Sequence, residues 1–314
     1  MSTVPVFAAR HVEQAVSPLR ALDAVREAFV AHARGEWTMP PKVYVTNYPA
    51  GDFRAMPALG SGHALLKWVT SFPGNSARGL PTVTGVVLIS NADTGELEAV
   101  MDAASITALR TGAAAVLAAE TLGRPDAQTA AVVGAGVNGS AAVRSFVARE
   151  RPVTVWDVNR ERANRVADEL GAAVAGSLEE ALAADLVVTV TPGHEVLLGD
   201  EALRPGQHVS LMGADGPGKA EIAPAELARS HVFCDDWEQA SHGGELAAVV
   251  EAGLISRDDV TQLGDVLTGT AEGRRSAEDI TVFDSTGLAL QDLGVAVAAL
   301  ERADELDLES IALD

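Results

Sequence analysis

The chain has 314 residues, 47% hydrophobic and 21% charged, enough apolar material for two domains of ordinary size and too much for a disordered chain. A formal net charge of −21 repels phosphate backbones and anionic lipid, which argues against nucleic-acid and membrane-surface roles. The single cysteine, Cys234, excludes an internal disulfide framework; no apolar run approaches a membrane span, and the first residues lack a secretory signal, so a cytoplasmic protein is expected.

Residues 16–34 carry Leu19, Leu22, Val25, Phe29 and Val30 at helical spacing and read as one amphipathic helix. Pro40-Pro41 stops any helix. Segments 42–48, 53–58, 64–71 and 81–90 are rich in Val, Thr, Tyr and Leu between Gly and Pro turns. They read as strands of a small, largely antiparallel sheet. The turn Asn91-Ala92-Asp93-Thr94-Gly95 pairs 83–90 with 96–101. Residues 102–122 follow as an Ala-rich helix that ends near Gly123 and Pro125.

Within this first part the basic residues are informative. Only three of the chain's 23 are lysines: Lys42, Lys67 and Lys219. Arginine serves wherever charge alone is needed, so a retained lysine marks a position that wants a compact, titratable amine. Arg54 lies in F-R-A-M-P, and Arg110 is the only charge in an apolar helical stretch. A cation there needs an anion: either Asp102 or another core acid, or the carboxylate of a substrate, which a guanidinium fork fits.

After Pro125 the pattern changes to strands alternating with helices: strand 128–134, strand 153–157, helix 160–170, strand 172–175, and strands 185–190, 207–212 and 231–235. Ser177-x-x-Glu180 is a capping box that opens a helix. This spacing predicts a Rossmann-type doubly wound parallel sheet, so the fold class is α/β with a smaller α+β domain beside it. Residues 286–307 are apolar and helical, and return to the first domain. The expected division is 1–118 with 288–314, and 119–287.

The turn Gly134-Ala135-Gly136-Val137-Asn138-Gly139 follows a strand and opens a helix. The first glycine makes the tight turn, the second admits a pyrophosphate to the backbone, and the third packs helix on strand. Asp157 ends the next strand, 18 residues past Gly139, where a carboxylate accepts two ribose hydroxyls and favours NAD over a 2′-phosphate. Arg160 and Arg162 follow closely and soften that preference. Thr191 and Pro192 close the fourth strand, and Met212 the fifth, on the edge where such sheets meet the adenosine or nicotinamide half.

Asp215, in G-A-D-G-P-G-K, lies on the same edge and is placed either to exchange a proton with substrate or to cap its own turn. Lys219 steadies that turn. Asp235-Asp236 and His242-Gly243-Gly244-Glu245 look like a hydrogen-bonded loop, and their spacing matches no common metal-ligand pattern, so no metal is expected. Phe283-Asp284-Ser285-Thr286-Gly287 opens the last helix; its hydroxyls cap that helix or touch the nicotinamide amide.

Taken together, MPPKVYV, GDFRAMPA, LKWVTSFPGN, MDAASITALRTGAAA, GAGVNG, MGADGPGK, DDWEQASHGGE and FDSTGLALQD resemble the ornithine cyclodeaminase/mu-crystallin family, and in detail its archaeal-type alanine dehydrogenase branch. The resemblance implies a homodimer whose N-terminal domain binds substrate and dimerises, with NAD as cofactor and a small amino acid or 2-oxo acid as substrate. It implies that Lys67 and Arg110, with Arg54 and Lys42, hold the substrate carboxylate. It also implies that Asp215 handles the amino group or attacking water, with Lys67 as the alternative. Lysine at position 42, where the cyclodeaminases have arginine nearby, departs from their pattern. The activity this implies is reversible NAD-dependent oxidation of alanine to pyruvate and ammonia. The alternatives are cyclisation of ornithine to proline, reduction of a cyclic ketimine, and a crystallin-like dinucleotide-binding protein without turnover.

Overall fold

Leu65, Lys67 and Val69 are buried while Leu66 and Trp68 are exposed, the period-two alternation of a strand with one covered face. That strand, β4 (His63–Ser71), lies in a seven-stranded sheet with β1 (Thr3–Phe7), β2 (Val43–Asn47), β3 (Gly51–Gly60), β5 (Val83–Asn91), β6 (Leu97–Asp102) and β15 (Glu309–Ala312). The order is β15-β1-β6-β5-β4-β3-β2. Strands β2 to β6 pair antiparallel, whereas β1 runs parallel to β6 and antiparallel to β15. This computed structural model describes residues 3–193, 195–214, 216 and 218–313.

The first unit of the chain is Met1–Arg110 with Leu288–Asp314, and the second is Thr111–Gly287. In the first unit the helix expected over 16–34 is α2 (Pro18–Ala33), and a shorter helix that was not expected, α1 (Ala9–Ala15), precedes it. Ser17 separates them because its hydroxyl caps the second, accepting from the Arg20 N–H, and Pro18 takes the first helical position. Helix α2 packs on α11 (Ala289–Leu300), and Gly294 permits the approach, since a Cβ there would meet the Ala24 carbonyl at 2.8 Å. Helix α3 (Ala103–Leu122) starts after β6, where the Asp102 carboxylate accepts from Ser105 N–H at 2.8 Å.

The second unit is an eight-stranded parallel sheet, so the α/β Rossmann class is observed. Its strands are β7 (Ala130–Val133), β8 (Val153–Trp156), β9 (Ala173–Val174), β10 (Leu186–Thr189), β11 (His208–Leu211), β12 (His231–Cys234), β13 (Val260–Gln262) and β14 (Thr281–Asp284), ordered β13-β12-β14-β11-β10-β7-β8-β9. The crossovers carry α4 (Val137–Ala148), α5 (Arg160–Leu170), α6 (Leu178–Leu182), α7 (Pro224–Ala228), α8 (Trp237–Gly243), α9 (Leu246–Glu251) and α10 (Leu263–Thr268). The central strands β7, β10, β11 and β14 are buried at every position, as a sheet covered on both faces requires.

Two expectations are corrected here. Phe283-Asp284 does not open the last helix; it lies in β14, between β11 and β12, and the helix begins at Ala289. The capping box at Ser177 is half formed: Ser177 accepts from the Glu180 N–H, but Glu180 accepts from Gly176 N–H. Among the described residues no helix is long and apolar enough to cross a membrane.

Candidate functional site

Strand register places two cations on one face of the first sheet. Met56 pairs with Lys67 and Tyr44 with Arg54, so Tyr44, Arg54, Met56 and Lys67 share a face. Arg54 is held by a fork to Asp52, with Nε at 2.6 Å from Oδ1, and its guanidinium lies 5.4 Å from the Tyr44 ring centre. Tyr48 donates to the other Asp52 oxygen at 3.4 Å. Lys42 is half-buried just before β2.

Lys67 is 2% exposed, and its ammonium donates to Thr107 Oγ1 at 2.6 Å and to Asp292 Oδ1 at 2.9 Å. Arg110 joins the same acid, with Nε 3.5 Å from Asp292 Oδ1, and one of its terminal nitrogens donates to Gln291 Oε1 at 3.4 Å. The acid facing Arg110 is therefore Asp292, not Asp102, which caps α3. Burial lowers the Lys67 pKa to about 8; Asp292 opposes the shift, and Arg110 and Arg54 add to it.

One carboxylate cannot neutralise two cations, and Asp52 is already engaged by Arg54. The Lys67–Arg110–Asp292 group thus keeps a positive excess. Its polar atoms are also incompletely matched: Arg110 Nε, Gln291 Nε2 and Asp292 Oδ2 are buried without a hydrogen-bond partner among the described residues. Orphans of this kind cost about 1–3 kcal/mol each, so a cluster of them marks a place built for something further.

The glycine turn of the second unit has the geometry that its spacing predicts. Gly134 has φ 106° and its N–H donates to Trp156 O at 2.8 Å. A Cβ on Gly139 would collide with the Gly134 carbonyl, whereas one on Gly136 would meet nothing within 4 Å. Gly136 is the N-cap of α4 and has no side chain to satisfy the first N–H groups, which leaves them for an anion. Val137 is 71% exposed beside this open backbone, Asn138 is half-buried, and a pyrophosphate fits the cradle.

Asp157 is 8% exposed. Its oxygens accept from Ala135 N–H at 2.7 Å and Asn159 N–H at 2.8 Å, leaving lone pairs for ribose hydroxyls. Arg162 lies 3.6 Å from it, while the exposed Arg160 donates to the Ala175 and Gly176 carbonyls.

Thr191 and Gly213 belong to an arrangement the sequence did not disclose. Glu221 is fully buried and accepts from Thr189 Oγ1, Thr191 N and Oγ1, and Gly213 N at 2.6–2.9 Å. Burial pushes its pKa up against these donors. Its own N–H donates to Glu245, whose carboxyl is pushed up to about 9 by burial and by the neighbouring Asp284. Asp284 is itself pushed up to about 8, mainly by burial. Met212 is buried, and Pro192 is exposed.

Asp235 accepts from Ser285 Oγ at 3.0 Å and Gly287 N–H at 2.8 Å. Ser285 and Thr286 therefore tie their turn to Asp235 and do not cap α11. Asp215 lies outside the described residues.

Known proteins with this architecture share it over their whole length. The alanine dehydrogenase of Archaeoglobus fulgidus is 41% identical over 307 residues, covering 95% of this chain and 94% of that protein. The solved archaeal alanine dehydrogenase dimer with bound NAD superposes with a TM-score of 0.94 at 37% identity and covers 100% of both chains. A Delta(1)-pyrroline-2-carboxylate reductase of Thermococcus litoralis, solved with NADH and L-proline, gives 0.91 at 25% identity over 99% of this chain and 100% of that one. The sequence profile described as the ornithine cyclodeaminase/mu-crystallin family matches residues 4–307, and the chain belongs to that family.

Proposed function

We propose that this chain is an NAD-dependent dehydrogenase that oxidatively deaminates a small L-amino acid, converting alanine reversibly to pyruvate and ammonia. The carrying observation is the kind and number of unmatched groups around Lys67. Arg110 Nε and Gln291 Nε2 are donors and Asp292 Oδ2 is an acceptor, beside a net positive charge. An amino acid presents the complement: a carboxylate that accepts and an amino group that donates. Similarity to alanine dehydrogenases along the full chain supports the choice of amino acid.

Arg110 holds the substrate carboxylate, and Lys67, Arg54 and Lys42 deepen the positive potential. Asp292 Oδ2 accepts from the amino group. Gly134, Gly136 and Gly139 with the start of α4 cradle the pyrophosphate of NAD, and Asp157 takes the ribose hydroxyls. When bound, NAD accepts the Cα hydrogen with its electron pair. Asp215 is assigned to the water that releases ammonia.

The same cluster suits a cyclic imino acid, and the likeness to a pyrroline-carboxylate reductase favours that as the second reading. A panel of amino acids with NAD, following ammonia and reduced nicotinamide together, separates the cases. Alanine is expected to yield both in equal amounts. Ammonia from ornithine without net NADH, or NADH consumption with a cyclic imine and no open-chain oxidation, would reassign the enzyme.

We assign self-association to the other face of the first sheet. Val43, Ala55, Trp68 and Val86 form one cross-strand row there, and Val43, Val45, Leu66 and Trp68 are exposed. A homodimer covers that apolar face.

A further inference from the structure

Lys67 is anchored so that only one of its nitrogen's directions is left to change. Thr107 Oγ1 lies 2.6 Å from Lys67 Nζ and 2.6 Å from the Ala103 carbonyl oxygen. A carbonyl only accepts, so the hydroxyl hydrogen points at Ala103 and a hydroxyl lone pair accepts from Lys67. Asp292 Oδ1 accepts a second N–H. A neutral amine has two hydrogens and a lone pair; an ammonium has three hydrogens. Both anchors therefore persist in either state, and the third tetrahedral direction alone switches between lone pair and N–H.

We propose that Asp292 and Thr107 are positioning residues that reserve this third direction of Lys67 for carrying the proton of the substrate's amino nitrogen, a role that rests on the amino-acid reading above. Neutral Lys67 takes one proton from the substrate ammonium. An N–H bond breaks on the substrate and another forms on Nζ. The bonding pair stays on the substrate nitrogen, and nothing is oxidised or reduced. The freed lone pair is what the amine needs before its Cα–H bond weakens.

The charged groups that face Nζ are Asp292 from α11, Arg110 from α3 and Arg54 from β3, with Asp52 behind Arg54. Burial and the two guanidinium groups favour the amine, and Asp292 favours the ammonium, so the two forms exchange near pH 8. Arginine in place of Lys67 supplies charge but never a lone pair.

The scarcity of lysine makes the test direct. In the intact protein labelled with 13C at lysine Cε, three lysines yield three resonances, and Lys67→Arg identifies one by its loss. The Lys67 resonance is expected to titrate near pH 8, and at lower pH in Asp292→Asn, because the removed anion had favoured the ammonium.

The limb of the kcat/KM profile that requires a deprotonated enzyme group is expected at the same midpoint, and to move with it in the variant. Lys67→Arg is expected to lower kcat by about 10²- to 10⁴-fold while KM stays within about threefold. Thr107→Val is expected to lower kcat with little change in KM, and Thr107→Ser to restore it. That pair decides the matter if Asp292→Asn does not fold.

A kinetic limb that stays in place while the resonance midpoint moves, or a Lys67 that titrates at the ordinary 10.5, overturns the proposal. So does a Thr107→Val enzyme with unchanged kcat. Absence of turnover with every amino and imino acid would sink the substrate reading itself, and the proposal with it, whatever the resonances show.

Discussion

Lys67 with Arg110 and Asp292 in the first unit, and Glu221 with Glu245, Asp284 and Asp235 in the second, are both largely buried groups of ionisable residues, with the pKa shifted at Lys67 in one and at Glu221, Glu245 and Asp284 in the other. They differ in how fully their polar atoms are matched. Glu221 accepts four hydrogen bonds, and Asp235 closes the 285–287 turn through three. The unmatched oxygens there, Glu245 Oε2 and Asp284 Oδ1, sit on carboxyls whose raised pKa values keep them neutral at pH 7. Around Lys67 the unmatched atoms belong to ions and an amide, and the charge does not cancel. Burial with a shifted pKa thus occurs in both groups, while the incomplete set of donors and acceptors around Lys67 is what supports the proposal that a ligand binds there.

The sharpest way to break this contrast is Lys67→Ala. Turnover is expected to fall by about 10³-fold or more, with NAD affinity by calorimetry nearly unchanged. Normal turnover would return Lys67 to a structural role. On the other side, Glu221→Gln sets an NH2 against groups that already donate. Unfolding in urea is expected to show a loss of about 2–3 kcal/mol, and an unchanged midpoint would mean that the acid network does not hold the loops together. Asp157→Ala is expected to weaken NAD about tenfold and to narrow the gap to NADP, a binding effect without loss of the Lys67 signal. Equal affinities in variant and parent would move the ribose contact elsewhere.

The last expectation concerns pH. Glu245 titrates at about 9 when folded and near 4.5 when unfolded, so the unfolded chain gives up its proton first as pH rises. The stability that Glu245 contributes is complete below pH 4.5 and is lost as pH rises toward 9. Melting temperature is expected to decline across that window, and less steeply in Glu245→Gln. Parallel curves for the two proteins would contradict the raised pKa.

Much of the fold was legible because it is periodic. Leu65, Lys67 and Val69 alternate with Leu66 and Trp68, and the glycines at 134, 136 and 139 each do one steric job. The strand Thr281–Asp284 was not legible, because four residues buried on both faces leave no alternation to read. Asp292 was within reach of the reasoning applied to Arg110. It is the only charge in ALQDLGVAVAAL, and a lone charge in an apolar helix needs a partner. Glu221, Glu245 and Asp284 carry no such signal. They are ordinary acids until the sheet brings segments 24 to 38 residues apart together.

The acid that meets Lys67 lies 225 residues farther along the chain, and β1 finds β15 only at the far end of the sequence. During synthesis the amine therefore leaves the ribosome long before its counter-charge exists. Burying an ammonium without an anion is costly, so closure of the first unit around Lys67 is disfavoured until α11 has emerged. The nucleotide-binding sheet, complete by Gly287, is free to form first. In a truncated or stalled nascent chain, the second unit would be finished while the first still waits for its last segment, Leu288–Asp314.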